Sequence, residues 1–190
     1  MFPSVPFLKP IGADSPVHDC APDAGSPDGE FELEQYGPFK VGSERAVDQH
    51  FAGRSAHLRA GLIIGPYDDT NRFPYWVDRM ARGGEVLAPG GPDRPMRLVD
   101  ARDLGAWAVE VARNRVTGAY VATGPAGQVT SAAERAGLRT RPIADSARDT
   151  LAWLRAGGND KPANPRTGRA GLDPDREKEL LAAWHERGQG

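Results

Sequence analysis

The stretch AHLRAGLIIGP, Ala56 to Pro66, decides what kind of fold this chain can form. It reads as one buried strand from Ala56 to Ile64, closed by Gly65 and Pro66. Upstream, Phe39, Val47 and Phe51 recur near one face from Tyr36 onward, Pro38 falls in a first turn, and Gly53 ends the pattern, so a helix precedes the strand. Downstream, NRFPYWVDRMARGGE predicts a helix with Tyr75, Trp76, Val77 and Met80 as its apolar contacts and Gly83-Gly84 as its stop. EVLAPGGPDRP predicts a strand and a tight turn, and MRLVDA a further strand. Asp103 is placed to cap a helix through Leu104, Trp107, Ala108 and Val111, followed by a strand over Tyr120 to Thr123 in GAYVATGP. A weak helix near Ala132 to Ala136, a short strand in LRTRPI and a helix from Ala144 to Arg155 complete the series. Strands alternating with helices predict an α/β layer fold with a mostly parallel sheet.

The flanks read differently. Residues 9–30 are rich in proline and turn formers with no period of 2 or 3.6, the pattern of an irregular loop. Residues 156–172 have little to bury and predict a flexible linker. Beyond it, DPDREKELLAAWHERG has Asp173 as cap, Pro174 at the first helical position, and Leu180, Leu181 and Trp184 on one side. The expected organisation is one domain over 1–155, a linker over 156–172 and a C-terminal helix over 173–190. Trp76, Trp107, Trp153 and Trp184 are expected as core anchors.

The 190 residues suffice for one good core. The net charge of −2 comes from arginines scattered among acids, so neither nucleic acid nor an anionic membrane is the expected partner; a small molecule or another protein is. Cys20 is the only cysteine, which excludes an internal disulfide framework. No apolar run approaches the ~20 residues that span a bilayer, and MFPSVPFLKP lacks the charge and apolar run of an export signal. A cytoplasmic location is the expectation.

Tyr36 and Lys40 stand one helical turn apart, so their side chains share a face about 6 Å apart at the backbone. A phenol ionises near pH ~10 and a neighbouring ammonium favours the phenolate, which suits acid–base work. The spacing alone is weak, because it arises readily by chance and also describes an ordinary helix surface. His18-Asp19-Cys20 offers metal-ligand types, but neighbours in sequence do not make a tetrahedral site, and no metal is expected. His50, His57 and His185 read as surface or packing residues.

The order YGPFKVGSERAV, LRAGLIIGP, RFPYWVDRMARGGEVLAPG, RLVDARDLGAWAV and GAYVATGP resembles the later half of the extended short-chain dehydrogenase/reductases, more narrowly the NAD-dependent epimerase/dehydratase group. The resemblance covers about residues 1–124 and returns at AGLRTRPIADSARDTLAWL. It implies a Rossmann-like, doubly wound domain over 1–155 with NAD or NADP as cofactor. Tyr36 would match the catalytic acid/base, and Lys40 the lysine that binds the nicotinamide ribose and lowers the tyrosine pKa. Ser4, in PSVPFL, would match the residue that orients the substrate oxygen. Ile64, Gly65 and Pro66 would lie beside the nicotinamide, and Arg97 in the segment that supports the substrate lobe. Asp100 and Asp103 of the same segment would be structural.

The family begins with a strand and a G-x-x-G-x-x-G turn that lets a pyrophosphate approach a helix N-terminus. Only 35 residues precede Tyr36, without that fingerprint, and the substrate lobe after TGPAG is short. The expectation is therefore a truncated member: an NAD(P)-dependent oxidoreductase or epimerase whose cofactor turn is missing. The alternative is a non-catalytic homologue that self-associates or is completed by a partner chain covering an exposed sheet edge.

Overall fold

A computed structural model describes residues 12–24, 33–88, 90, 96–124, 131–158 and 170–188. Among the described residues it is a mixed α/β structure with short parallel sheets and six α-helices. The chain forms two compact units, Met1–Gly61 with Leu104–Arg139 and Leu62–Asp103 with Thr140–Gly190.

The first unit holds helix α1 (Tyr36–His50), preceded by a 3-10 turn over Leu33–Gln35, and strand β1 (Ala56–Ala60). β1 pairs in parallel with the last strand, Gly118–Ala122, from Ala56 opposite Gly118 to Ala60 opposite Ala122. Trp107 is the largest fully buried side chain and organises this unit's core with Val111, Ala122, Ala133 and Leu138. Its indole N–H donates to the Ala136 carbonyl at 3.0 Å, and its ring meets Tyr120 edge-on at 5.8 Å between centroids. The four-residue helix Ala132–Arg135 is held by a reciprocal cap: Ser131 Oγ accepts the Glu134 N–H, and Glu134 Oε2 accepts the Ser131 N–H.

The second unit holds strand β2 (Leu62–Ile64), helix α2 (Arg72–Ala81) and strand β3 (Leu98–Asp100), with β2 and β3 parallel. Helix α3 (Ala101–Arg113) follows directly and lies mostly in the first unit, as do strand β4 (Gly118–Ala122) and helix α4 (Ala132–Arg135), whereas helices α5 (Ile143–Arg155) and α6 (Pro174–Gly188) belong to the second. α2 packs against α5.

The single strand expected over 56–64 is two strands. Gly61 donates its N–H to the Ala122 carbonyl at 3.0 Å, whereas the next amide, Leu62, donates to Arg97 at 2.8 Å. Successive amides thus serve different ladders, and Gly61 has no side chain to hold the run on one partner. Nor is the stretch buried throughout: no residue of β1 is fully buried, Ile63 is exposed, and only Ile64 of β2 is buried. Two other expected strands are absent among the described residues. In 85–88 the Leu87 N–H goes to Glu177 Oε1, and in LRTRPI the Arg141 N–H goes to Asp103 Oδ2, so carboxylates take the amides a ladder would need.

Asp103 is not the cap of α3. The helix starts at Ala101, and it is Asp100 whose Oδ1 accepts the Arg102 N–H at 2.9 Å. Asp100 also accepts from Arg102 Nε and Nη2 and, at 2.6 Å, from Ser146 Oγ, which joins the end of β3 to α5. Asp103 instead binds the Arg141 guanidinium at 2.7 and 2.9 Å. Among the described residues no buried side-chain polar atom lacks a partner. α6 begins as expected, with Asp173 Oδ1 accepting the N–H groups of Asp175 and Arg176. Trp184 is not a core anchor: it is 69% exposed, and the buried residue of its helix is Glu177.

Burial pushes the Asp100 carboxyl up, but hydrogen bonds from Arg102 and Ser146 outweigh it and hold the group at about 2. A carboxylate depressed in the folded state stabilises it above the unfolded pKa, and that contribution is lost as pH falls through the folded one. Wild-type stability should therefore fall by about 2 kcal/mol between pH ~4 and ~2 on account of this group. Urea titrations across that range should find Asp100→Asn weaker at neutral pH and flatter with acid. Trp107→Ala should cost about 3–5 kcal/mol at neutral pH in the same measurement, since it empties the centre of the first unit.

Candidate functional site

Tyr36 opens α1, and Lys40 follows one turn later, with Pro38 tolerated because the first turn needs no N–H there. The pair shares one face as its spacing demands. Lys40 Nζ stands 5.5 Å from the centroid of the Tyr36 ring, a cation–π arrangement in which the ammonium covers the ring. Tyr36 is 51% exposed and Lys40 is exposed, so both are open to a ligand from solvent.

The segment carrying His18 and Cys20 lies along the same helix. A Cβ on Gly37 would stand 2.8 Å from His18 Nε2, and one on Gly42 would stand 2.8 Å from the Ala21 carbonyl and 3.1 Å from Cys20 Sγ. Arg45 fastens the segment from α1, donating to Asp19 Oδ1 at 2.8 Å and to the Cys20 carbonyl at 2.5 Å. His18 and Cys20 are thus packing residues against helix glycines. The advance signal was Gly42 in the helix interior, where a glycine needs a reason. Among the described residues no group of three or more His, Cys, Asp or Glu is placed to hold a metal ion.

Charged pairs fix α1 to β1. Arg59 binds Glu44 through both carboxylate oxygens, at 2.9 and 2.6 Å, and this hydrogen bonding holds the Glu44 carboxyl below its ordinary range. Asp48 accepts from Ser55 Oγ at 2.5 Å and lies 2.9 Å from His57 Nε2, so its carboxyl too is lowered, first by Ser55 and then by His57. His50 bonds the Ala46 carbonyl, and His185 lies 2.8 Å from Glu85 Oε2. These histidines therefore have surface or packing roles.

Ile64, Gly65 and Pro66 belong to the second unit. Ile64 ends β2 and is buried; Gly65 takes φ +124°, and a Cβ there would stand 3.3 Å from Asp100 Oδ2. Only glycine suits that backbone region without strain. The turn continues through Tyr67 at φ 70° and Asn71 at φ 60°, two non-glycine residues in left-handed conformation. Tyr67, 76% exposed, meets the Trp153 ring at 5.6 Å between centroids. Arg97 is half-buried just before β3, where its carbonyl receives the Leu62 N–H. Ser4 lies outside the described residues. Tyr36 and Lys40 are therefore together on one helix of the first unit, and Ile64, Gly65, Pro66 and Arg97 are in the second.

No helix among the described residues is long and apolar enough to cross a membrane. In comparisons with known proteins, no family model and no curated protein matches the chain.

Gly65→Ala should destabilise the protein by more than about 1 kcal/mol, because the native φ is incompatible with a side chain and the carboxylate behind it is pinned. Gly53→Ala is the control, since φ is again positive but a Cβ there meets nothing within 4 Å. Denaturant midpoints should drop further for position 65 than for position 53.

Proposed function

We propose that the chain is a Rossmann-like member of the extended short-chain dehydrogenase/reductase type, an NAD(P)-dependent oxidoreductase or epimerase acting on a small molecule. The observation that carries this reading is the exposed Tyr36–Lys40 pair on the first turn of a helix that leads into a parallel strand. Tyr36 is the general acid/base, exchanging a proton at its hydroxyl with a substrate hydroxyl or carbonyl. Lys40 would hold the nicotinamide ribose beside it. Ser4 is the substrate orienter on sequence resemblance alone. Gly65 and its neighbours Ile64 and Pro66 give a turn at the end of a parallel strand, where open α/β sheets place ligands, and Arg97 belongs to the substrate side.

Tyr36 and Lys40, together on one helix, offer the phenol and ammonium that the nicotinamide–ribose half of a dinucleotide would need. The pyrophosphate half finds no such match, because no glycine-rich turn joins a strand to a helix N-terminus among the described residues. When bound, the nicotinamide supplies hydride transfer; the protein's share is placement and the proton. Calorimetric titration with NAD⁺, NADH, NADP⁺ and NADPH is the decisive measurement. Heat of binding is expected for one oxidation pair, and silence from all four at millimolar concentration ends the reading for this chain alone. Any cofactor-dependent turnover should fall ~10²–10⁴-fold in Tyr36→Phe.

A second reading is a non-catalytic or partner-completed module. It is favoured by the sheet edges: among the described residues β1 pairs only with β4, and β2 only with β3. Light scattering separates the two, since a compact monomer counts against an obligatory second copy or partner. Cofactor-dependent activity that appears only on mixing with a separate nucleotide-binding chain would join them.

A further inference from the structure

The residues 170–188 do more than end the second unit. Ala170 donates its N–H to the Thr70 carbonyl at 2.9 Å, and the Asn71 side chain donates to the Ala170 carbonyl at 2.8 Å. The next residue, Gly171, has φ +135°, and a Cβ there would stand 2.6 Å from the Tyr75 ring. One turn into α6, Glu177 Oε2 accepts from Arg79 Nε at 2.6 Å, and its Oε1 accepts the Leu87 N–H at 3.1 Å. Arg79 also donates to the carbonyls of Gly83 and Glu85. The segment therefore grips both ends of α2: the Thr70–Asn71 turn in front of it and the Gly83–Leu87 stretch behind it.

Two features make this grip releasable. Its one buried side chain is a charged one, Glu177, while Leu180 and Leu181 are half-buried and Trp184 is largely exposed, so little apolar surface holds α6 down. Undocking would return both Arg79 and Glu177 to water, which offsets much of the lost attraction. The turn it grips is strained, with Tyr67 and Asn71 both left-handed, and such backbone persists only where its surroundings enforce it.

We propose that residues 170–188 are a conditional latch: docked, they hold the Gly65–Asn71 turn in its left-handed form with Tyr67 against Trp153, and released, they let that turn relax. The coupling stands on geometry alone, whereas its consequence, control of the turn placed beside the nicotinamide, rests on the proposed function. Because coupling between two sites is reciprocal, a ligand that orders the turn and the docking of α6 favour each other.

Hydrogen–deuterium exchange on the full chain tests it without reference to activity. The amides of Thr70, Asn71 and Phe73 are suitable reporters, because each is hydrogen-bonded to Asp68. Glu177→Gln should raise exchange at least ~tenfold both in 174–188 and in 70–73, and leave β1 and β4 unchanged. Gly171→Ala, which disturbs the clasp and leaves the Arg79–Glu177 pair intact, should do the same in 70–73. Faster exchange confined to 174–188, acceleration of β1 and β4 in parallel, or no change in either variant would each overturn the latch. Cofactor titration can fail with this coupling intact, so the two proposals fail separately.

Discussion

The structure depends on a change of hydrogen-bonding partner between two adjacent amides. Gly61 completes the ladder to β4, and Leu62 begins the ladder to β3. Backbone groups withdrawn from water must be paired, so this switch dictates that β1 and β2 cannot be one strand, and it fixes where one unit gives way to the other. Both ladders are parallel, which requires that each returning strand be reached by a crossover. Helix α2 supplies part of that path between β2 and β3.

The two units are held by different physics. In the first, Trp107 gathers apolar residues from α3, β4 and α4 into one cluster. In the second, the buried residues include Asp100, Ser146, Thr150, Asn71, Arg79 and Glu177, and every described buried side-chain polar atom is satisfied. Asp100 is central: it caps α3, receives Arg102 and Ser146, and backs the turn at Gly65. A satisfied polar cluster of this kind specifies one arrangement more sharply than it adds stability.

Much of the element order was legible in the sequence. The starts of α1 and α6 followed from Pro38, Asp173 and Pro174, and Trp107 was placed correctly in a buried helix face because its apolar companions recur at helical spacing. What was not legible concerned partners. Nothing local distinguishes Gly61 from a glycine inside a strand, and nothing in LRTRPI announces that Asp103 will claim the Arg141 amide from 38 positions away. Trp184 misled because a helix face predicts a docking side, while the actual anchor on α6 is the charged Glu177. For the candidate site, the Tyr36–Lys40 spacing correctly put both on one face, yet spacing cannot say that the ammonium would cover the ring. The left-handed backbone at Tyr67 had no sequence signal at all, since tyrosine is not a residue chosen for that conformation.

The interleaving of the units has a consequence for synthesis. Once residue 139 has left the ribosome, every described strand and helix of the first unit is in hand, including β4 for β1 and the indole of Trp107 with its carbonyl acceptor. The second unit at that moment has its paired strands but neither Ser146 to engage Asp100 nor Glu177 to meet Arg79. Domains fold as units in the order they emerge. The nascent protein thus spends an interval with one half consolidated and the other half holding an aspartate served by Arg102 alone and an arginine served only by the Gly83 and Glu85 carbonyls.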